Sequence, residues 1–168
     1  MIPTTFLIAA PGAARRLAQP HCPPDPVFSR DNDFGAAKAP DTAARIMIVE
    51  DDFLVASEME GALTQVGLEV IGIAGTAEQA LELAAARRPV LVVMDIRLGG
   101  KRDGIDTALE LFANHGIRCI FATAHQTPDT RARAHAANPL TWIAKPYTML
   151  SLIDAVRRAL QELQRATR

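Results

Sequence analysis

Past residue 44 the chain alternates short apolar runs with stretches of helical period, and that alternation leaves few folds open to it. Ile46-Met47-Ile48-Val49 is followed by Val55, Met59, Ala62 and Val66 at helical spacing, closed by Gly67. Residues 68–74 alternate again and predict a second strand, nearer the sheet edge. Thr76 and Gln79 form a capping-box pattern that opens a helix through Arg88, ended by Pro89. The run Val90-Leu91-Val92-Val93-Met94 is the most hydrophobic and belongs in the sheet centre. Ile105, Leu109 and Phe112 mark a third helix ending near Gly116, and residues 117–122 a fourth strand. Thr127-Pro128-Asp129 reads as cap, first-turn proline and early acid. The helix it opens, residues 129–138, has only alanines for an apolar face and should be weakly held. Residues 140–144 are a fifth strand. Met149, Leu152, Val156, Leu160 and Leu163 carry a last helix. Strands separated by helices make an α/β fold: five parallel strands in a doubly wound sheet with five helices.

Three of the apolar runs end on charge. The first runs into Glu50-Asp51-Asp52, the third into Asp95, and Trp142-Ile143-Ala144 into Lys145-Pro146. Charged side chains seldom follow core strands unless a site uses them. In an open doubly wound sheet, ligands bind outside the carboxyl ends of the strands, and Thr123 leaves the fourth strand at that same edge. Several carboxylates in one cleft repel and raise one another's pKa. A hard divalent cation relieves this, and carboxylate oxygens with a backbone carbonyl and waters suit Mg²⁺ at about 2.1 Å. A carboxylate so placed can attack phosphorus and form an acyl phosphate, for which Lys145 and Thr123 offer a cation and a hydroxyl. Read singly, these residues have plainer roles: a solvated acidic turn, a snorkelling lysine, a β-branched strand residue. Asp52 reads as a helix-start charge, and Asp103 and Asp106 as loop and cap acids. His115 and His135 fit solvent-facing helix ends.

Composition narrows the rest. The formal net charge of -1 over 168 residues shows no basic footprint for nucleic acid, and no apolar run approaches the roughly 20 residues of a membrane span. The two cysteines, Cys22 and Cys119, suggest neither a disulfide framework nor a zinc site, so Cys119 reads as a buried thiol and the cytoplasm as the default location. Residues 1–44 hold seven of the eleven prolines, have cancelling charges and show no period. They are expected to form a disordered Pro/Ala-rich tail. The short run Phe6-Leu7-Ile8-Ala9-Ala10 has no preceding Lys or Arg and is too brief for a secretion signal.

Together, Val49-Glu50-Asp51-Asp52, Met94-Asp95-Ile96, Asp103-Gly104, Ala122-Thr123-Ala124 and Lys145-Pro146-Tyr147 closely resemble the receiver domain of bacterial two-component response regulators. The resemblance covers residues 45–168. It implies a flavodoxin-like sheet of order 2-1-3-4-5 and a phosphoacceptor at Asp95, loaded from a phosphohistidine on a histidine kinase or phosphotransfer protein. It further implies a Mg²⁺ site from Glu50, Asp51, Asp95 and the backbone carbonyl of Arg97, with Asp51 a direct ligand. Thr123 is similar to the family's switch hydroxyl, Lys145 to the lysine that pairs with the acceptor through a cis Lys145–Pro146 peptide, and Trp142 to the aromatic switch residue. A homodimer through the fourth helix, fifth strand and last helix would be in keeping with the resemblance.

The sequence departs from the family after Asp95, where Ile96-Arg97-Leu98-Gly99-Gly100 replaces the common Met-Pro. Arg97 and His125 stand two residues beyond the acceptor and the switch threonine. They are expected to set the acyl-phosphate lifetime by hindering or orienting water. With the last helix ending the sequence, the expected protein is a single-domain regulator, not an enzyme, whose output to an unknown target is protein–protein contact; Arg157 and Arg158 are candidate contacts. The alternatives are a Mg²⁺-dependent phosphatase or phosphotransferase with an Asp nucleophile, or a phosphorylation-independent adaptor. The haloacid-dehalogenase type of the former has a second Asp where Arg97 stands here.

Overall fold

The computed structural model describes residues 44–124 and 126–167. The reading of residues 1–44 as a disordered tail therefore falls, Ala44 apart, outside the described residues, as do Cys22 and His125.

Five strands, β1 (Arg45–Val49), β2 (Glu69–Ala74), β3 (Leu91–Met94), β4 (Cys119–Thr123) and β5 (Thr141–Ala144), form one parallel sheet of order β2-β1-β3-β4-β5. Five helices alternate with them: α1 (Phe53–Gln65), α2 (Ala77–Arg87), α3 (Gly104–His115), α4 (Pro128–Ala134) and α5 (Met149–Ala166). This is the α/β architecture and strand order expected. β2 lies at an edge, and its pairing with β1 shifts register between Ile46 and Met47.

The two-residue period of the strands sorts the core into two layers. Met47, Val49, Val92, Met94, Cys119 and Phe121 pack beneath α2, α3 and the α4 region. Ile46, Ile48, Leu91, Val93, Ile120 and Ala122 face α1 and α5. All four β3 residues are fully buried, and at about 1.5–3 kcal/mol per large side chain such strands anchor the fold. Val90, read as the first residue of that strand, is 44% exposed and precedes the ladder.

Caps fix where the helices begin. Asp52 accepts from the Leu54 and Val55 N–H groups, Asp103 from Asp106 and Thr127 from Thr130. At α2 the Thr76 hydroxyl accepts from Gln79 N–H, while Gln79 Oε1 reaches back to Gly75 N–H, one residue earlier than a reciprocal box requires. Arg88 is left-handed at φ 47, so α2 stops at Arg87. The helix expected over residues 129–138 is shorter: α4 ends at Ala134 and passes into a 3-10 turn, His135–Ala137, before left-handed Asn138. Ala134 and Ala137 are fully buried. Two alanines hold so short a segment down on its apolar side.

Candidate functional site

The sheet's own hydrogen bonds carry the charged residues into place. Glu50 N–H donates to Ala74 carbonyl at 2.9 Å, Asp95 N–H to Val49 carbonyl at 2.8 Å, and Lys145 N–H to Thr123 carbonyl at 3.0 Å. Each residue is thus one rung beyond its strand, with its backbone fixed by the neighbouring strand. Glu50 is 4% exposed and Asp95 8%, while Asp51 is open to solvent. The Lys145–Pro146 peptide is cis.

At this edge Lys145 Nζ donates to Glu50 Oε2 and to Asp95 Oδ2, both at 2.6 Å. Charge-assisted contacts this short restrain all three side chains. Burial pushes the Glu50 pKa up; the Lys145 hydrogen bond pulls it down and nearby Asp95 pushes it up again, leaving it raised. For Lys145, burial lowers the pKa, but its hydrogen bonds to Asp95 and Glu50 together outweigh burial and hold it above the ordinary lysine value. The ammonium is therefore charged at neutral pH.

One carboxylate oxygen each of Glu50, Asp51 and Asp95 lies within 4.8 Å of the others. The donor set is all oxygen and carries more negative charge than Lys145 neutralises, which fits a hard divalent ion such as Mg²⁺.

The loop after Asp95 is well defined despite its departure from Met-Pro. Arg97 N–H donates to Asp95 Oδ1 at 3.3 Å, and Gly99 pairs with Thr76 beyond the end of β2. Gly100 adopts φ 114, a conformation few residues but glycine tolerate. Arg102 pairs with Glu110 of α3. The loop closes where Gly104 N–H donates to Ile96 carbonyl at 2.8 Å, and Gly104 has no alternative: a Cβ there would stand 1.9 Å from the Asp95 carbonyl oxygen.

Thr123, 1% exposed, ends β4 next to β3, which Asp95 directly follows. Trp142 is half-buried on β5, tilted at 31° over Phe121 with ring centroids 4.5 Å apart. The Arg131 guanidinium of α4 covers it at 5.0 Å and donates to Gln126 Oε1 at 2.7 Å. Trp142 thus packs on the core through Phe121 and lies under the α4 guanidinium of Arg131.

The structure brings Glu50, Asp51, Asp95 and Lys145 together. Arg97 is exposed, and His125 lies outside the described residues. His115 and His135 are exposed, Asp103 caps α3, and Cys119 is buried with its thiol pushed up to about 12 by desolvation. Sequence reasoning missed the direct Glu50–Lys145 pair, the steric demand at Gly104, and a bridge from Arg133 of α4 to Asp103 at 2.8 Å and Asp106 at 3.4 Å. Only Asp103-Gly104 before a helical period gave any signal of these.

Residues 46–157 match the family model described as "Response regulator receiver domain". The "Transcriptional regulatory protein PdtaR" of Mycobacterium tuberculosis is 32% identical over 73% of this chain and 60% of its own length. The chain thus spans less than two thirds of that relative's length. "Sporulation initiation phosphotransferase F" of Bacillus subtilis is 28% identical over 69% of this chain and 93% of its own length. Among solved structures, the signal receiver domain of a modulated diguanylate cyclase from Desulfovibrio desulfuricans G20 superposes with TM-score 0.66 at 32% identity, covering 71% of this chain and 95% of that one.

Proposed function

The chain belongs to the response regulator receiver domain family, and from that membership we propose that Asp95 is the phosphoacceptor of a two-component phosphorelay. The observation that carries this reading is Lys145 Nζ at 2.6 Å from both Asp95 and Glu50, beside the open carboxylate of Asp51. In the proposed step an Asp95 carboxylate oxygen attacks the phosphorus of a phosphohistidine. An O–P bond forms, the N–P bond breaks, and the donor imidazole leaves with the bonding electrons and takes up a proton. Glu50, Asp51, Asp95 and the Arg97 carbonyl would hold Mg²⁺, whose chemistry is to neutralise charge on the phosphoryl oxygens.

The protein's own groups do the rest. Lys145 is already charged and preorganised beside the acceptor, so it compensates added negative charge without rearranging solvent. Thr123 donates its hydroxyl to the phosphoryl group and Trp142 follows it, shifting a two-state equilibrium. Receiver domains are generally signalling proteins, and this one signals by contact rather than by turnover.

The donor is a histidine kinase or a histidine phosphotransfer protein. Phe53 and Leu54 are 73% and 78% exposed at the start of α1, and Leu150 is 75% exposed at the start of α5. Both helices start at the carboxylate end of the sheet, so an apolar rim stands beside the acceptor, as docking of a protein donor requires. The reading includes a cytoplasmic location; no helix among the described residues is long and apolar enough to cross a membrane.

Incubation with Mg²⁺ and a small acyl phosphate, followed by intact mass measurement, tests the proposal. One phosphoryl adduct is expected, absent in Asp95→Asn. A folded protein that takes no adduct overturns the reading.

A further inference from the structure

Asp103 is held from two directions. Its Oδ1 caps α3 by accepting Asp106 N–H at 2.9 Å, while its Oδ2 accepts Arg133 Nη2 of α4 at 2.8 Å. Its carbonyl is engaged as well, accepting the Thr107 hydroxyl at 2.9 Å. The next residue, Gly104, rests directly on the backbone of Asp95, with no room there even for a methyl group. A chain of contacts therefore runs from the Asp95 backbone through Gly104 and Asp103 to Arg133. Two residues before Arg133 on the same short helix, Arg131 covers Trp142. α4 has seven residues and buries only Ala134, so these two arginines bear heavily on where it sits.

We propose that Asp103 is a positioning residue that couples the acceptor loop to α4 through Arg133, by a route separate from Thr123. The proposal rests on Asp95 being the phosphoacceptor. A phosphoryl group on Asp95 displaces the loop that carries it. Gly104 cannot be compressed against the Asp95 carbonyl, so the start of α3 moves with that loop. Asp103 then draws Arg133, and α4 carries Arg131 across the indole. Close contacts of this kind transmit displacement because packed elements have few arrangements open to them.

Trp142 is the only tryptophan in the chain, so its emission reports the far end of the route. The 168-residue chain is loaded with Mg²⁺ and acetyl phosphate, and the adduct is quantified by intact mass alongside the change in emission. Wild type should show both. Arg133→Gln should form the adduct but lose about half or more of the emission change at equal loading. Arg133→Lys, which keeps a cation for Asp103, should restore it. Asp103→Asn, which keeps a capping side chain and loses the charge, should match Arg133→Gln, and the double variant should be no worse than either.

An unchanged emission response in Arg133→Gln overturns the proposal. So does a loss that Arg133→Lys fails to restore, or a wild-type adduct with no change in emission. Absence of an adduct in wild type overturns the acceptor reading itself, and this proposal with it.

Discussion

Gly104 shows how much one missing side chain can matter. With Asp95 carbonyl oxygen 1.9 Å from where a Cβ would stand, Gly104→Ala must push α3 and the acceptor loop apart. Overpacking of this kind costs about 1–3 kcal/mol, read as a lower denaturant midpoint with a slower rise of the phosphoryl adduct. Cys119 makes a second prediction. Its folded thiol titrates at about 12, whereas an unfolded one titrates near 8.5. Above about 8.5 the unfolded state holds fewer protons than the native one, so this residue's contribution to stability falls as pH rises towards about 12, by roughly 1.4 kcal/mol per pH unit. Cys119→Ala should flatten that alkaline slope, and native Cys119 should resist alkylation at neutral pH until the protein unfolds. Asp95 and Lys145 were legible in sequence because charge directly after a core strand is unusual. The Glu50–Lys145 pair was not, because residues 95 apart meet only through the order in which β1, β3 and β5 sit in the sheet.

Among the elements, the strands were legible to within one or two residues, the fourth expected over residues 117–122 and found over Cys119–Thr123, since the central strands of a parallel sheet are near-continuous apolar runs. Helix ends were less so. The stretch predicted over residues 129–138 is helical by composition throughout, but its alanines cannot show that Ala134 and Ala137 meet the core through an α-turn followed by a tighter 3-10 turn. Nor does spacing reveal that Arg131 and Arg133 reach different elements, one a β5 indole and the other an α3 cap. Because α4 is short, its cap should matter disproportionately. Thr127→Ala removes the acceptor of Thr130 N–H and should cost about 1 kcal/mol. Amide exchange should speed up in residues 128–137 while β3 and β4 stay protected. Equal acceleration in both would mean that α4 is not a separately opening unit. The Arg133–Asp103 pair, more than half exposed on the arginine side, should add at most about 1 kcal/mol, so variants at Arg133 remain folded.

At the scale of the whole molecule, the apolar rim and the buried site make separable demands on a donor. Phe53→Ser with Leu150→Ser should slow phosphotransfer from a protein donor by about tenfold or more, in line with the loss of apolar anchors from an interface, while loading from acetyl phosphate stays at the wild-type rate. Equal slowing with both donors would place those residues in the chemistry rather than in docking. The fold was readable as a whole because alternating βα units admit few topologies, and the core divides as the strand period requires. That division has a further consequence. α1 and α5 cover one face of the sheet and α4 the other. On the reading proposed above, a donor at the start of α1 and α5 and a target on α4 would meet different faces of the same sheet, so one need not displace the other.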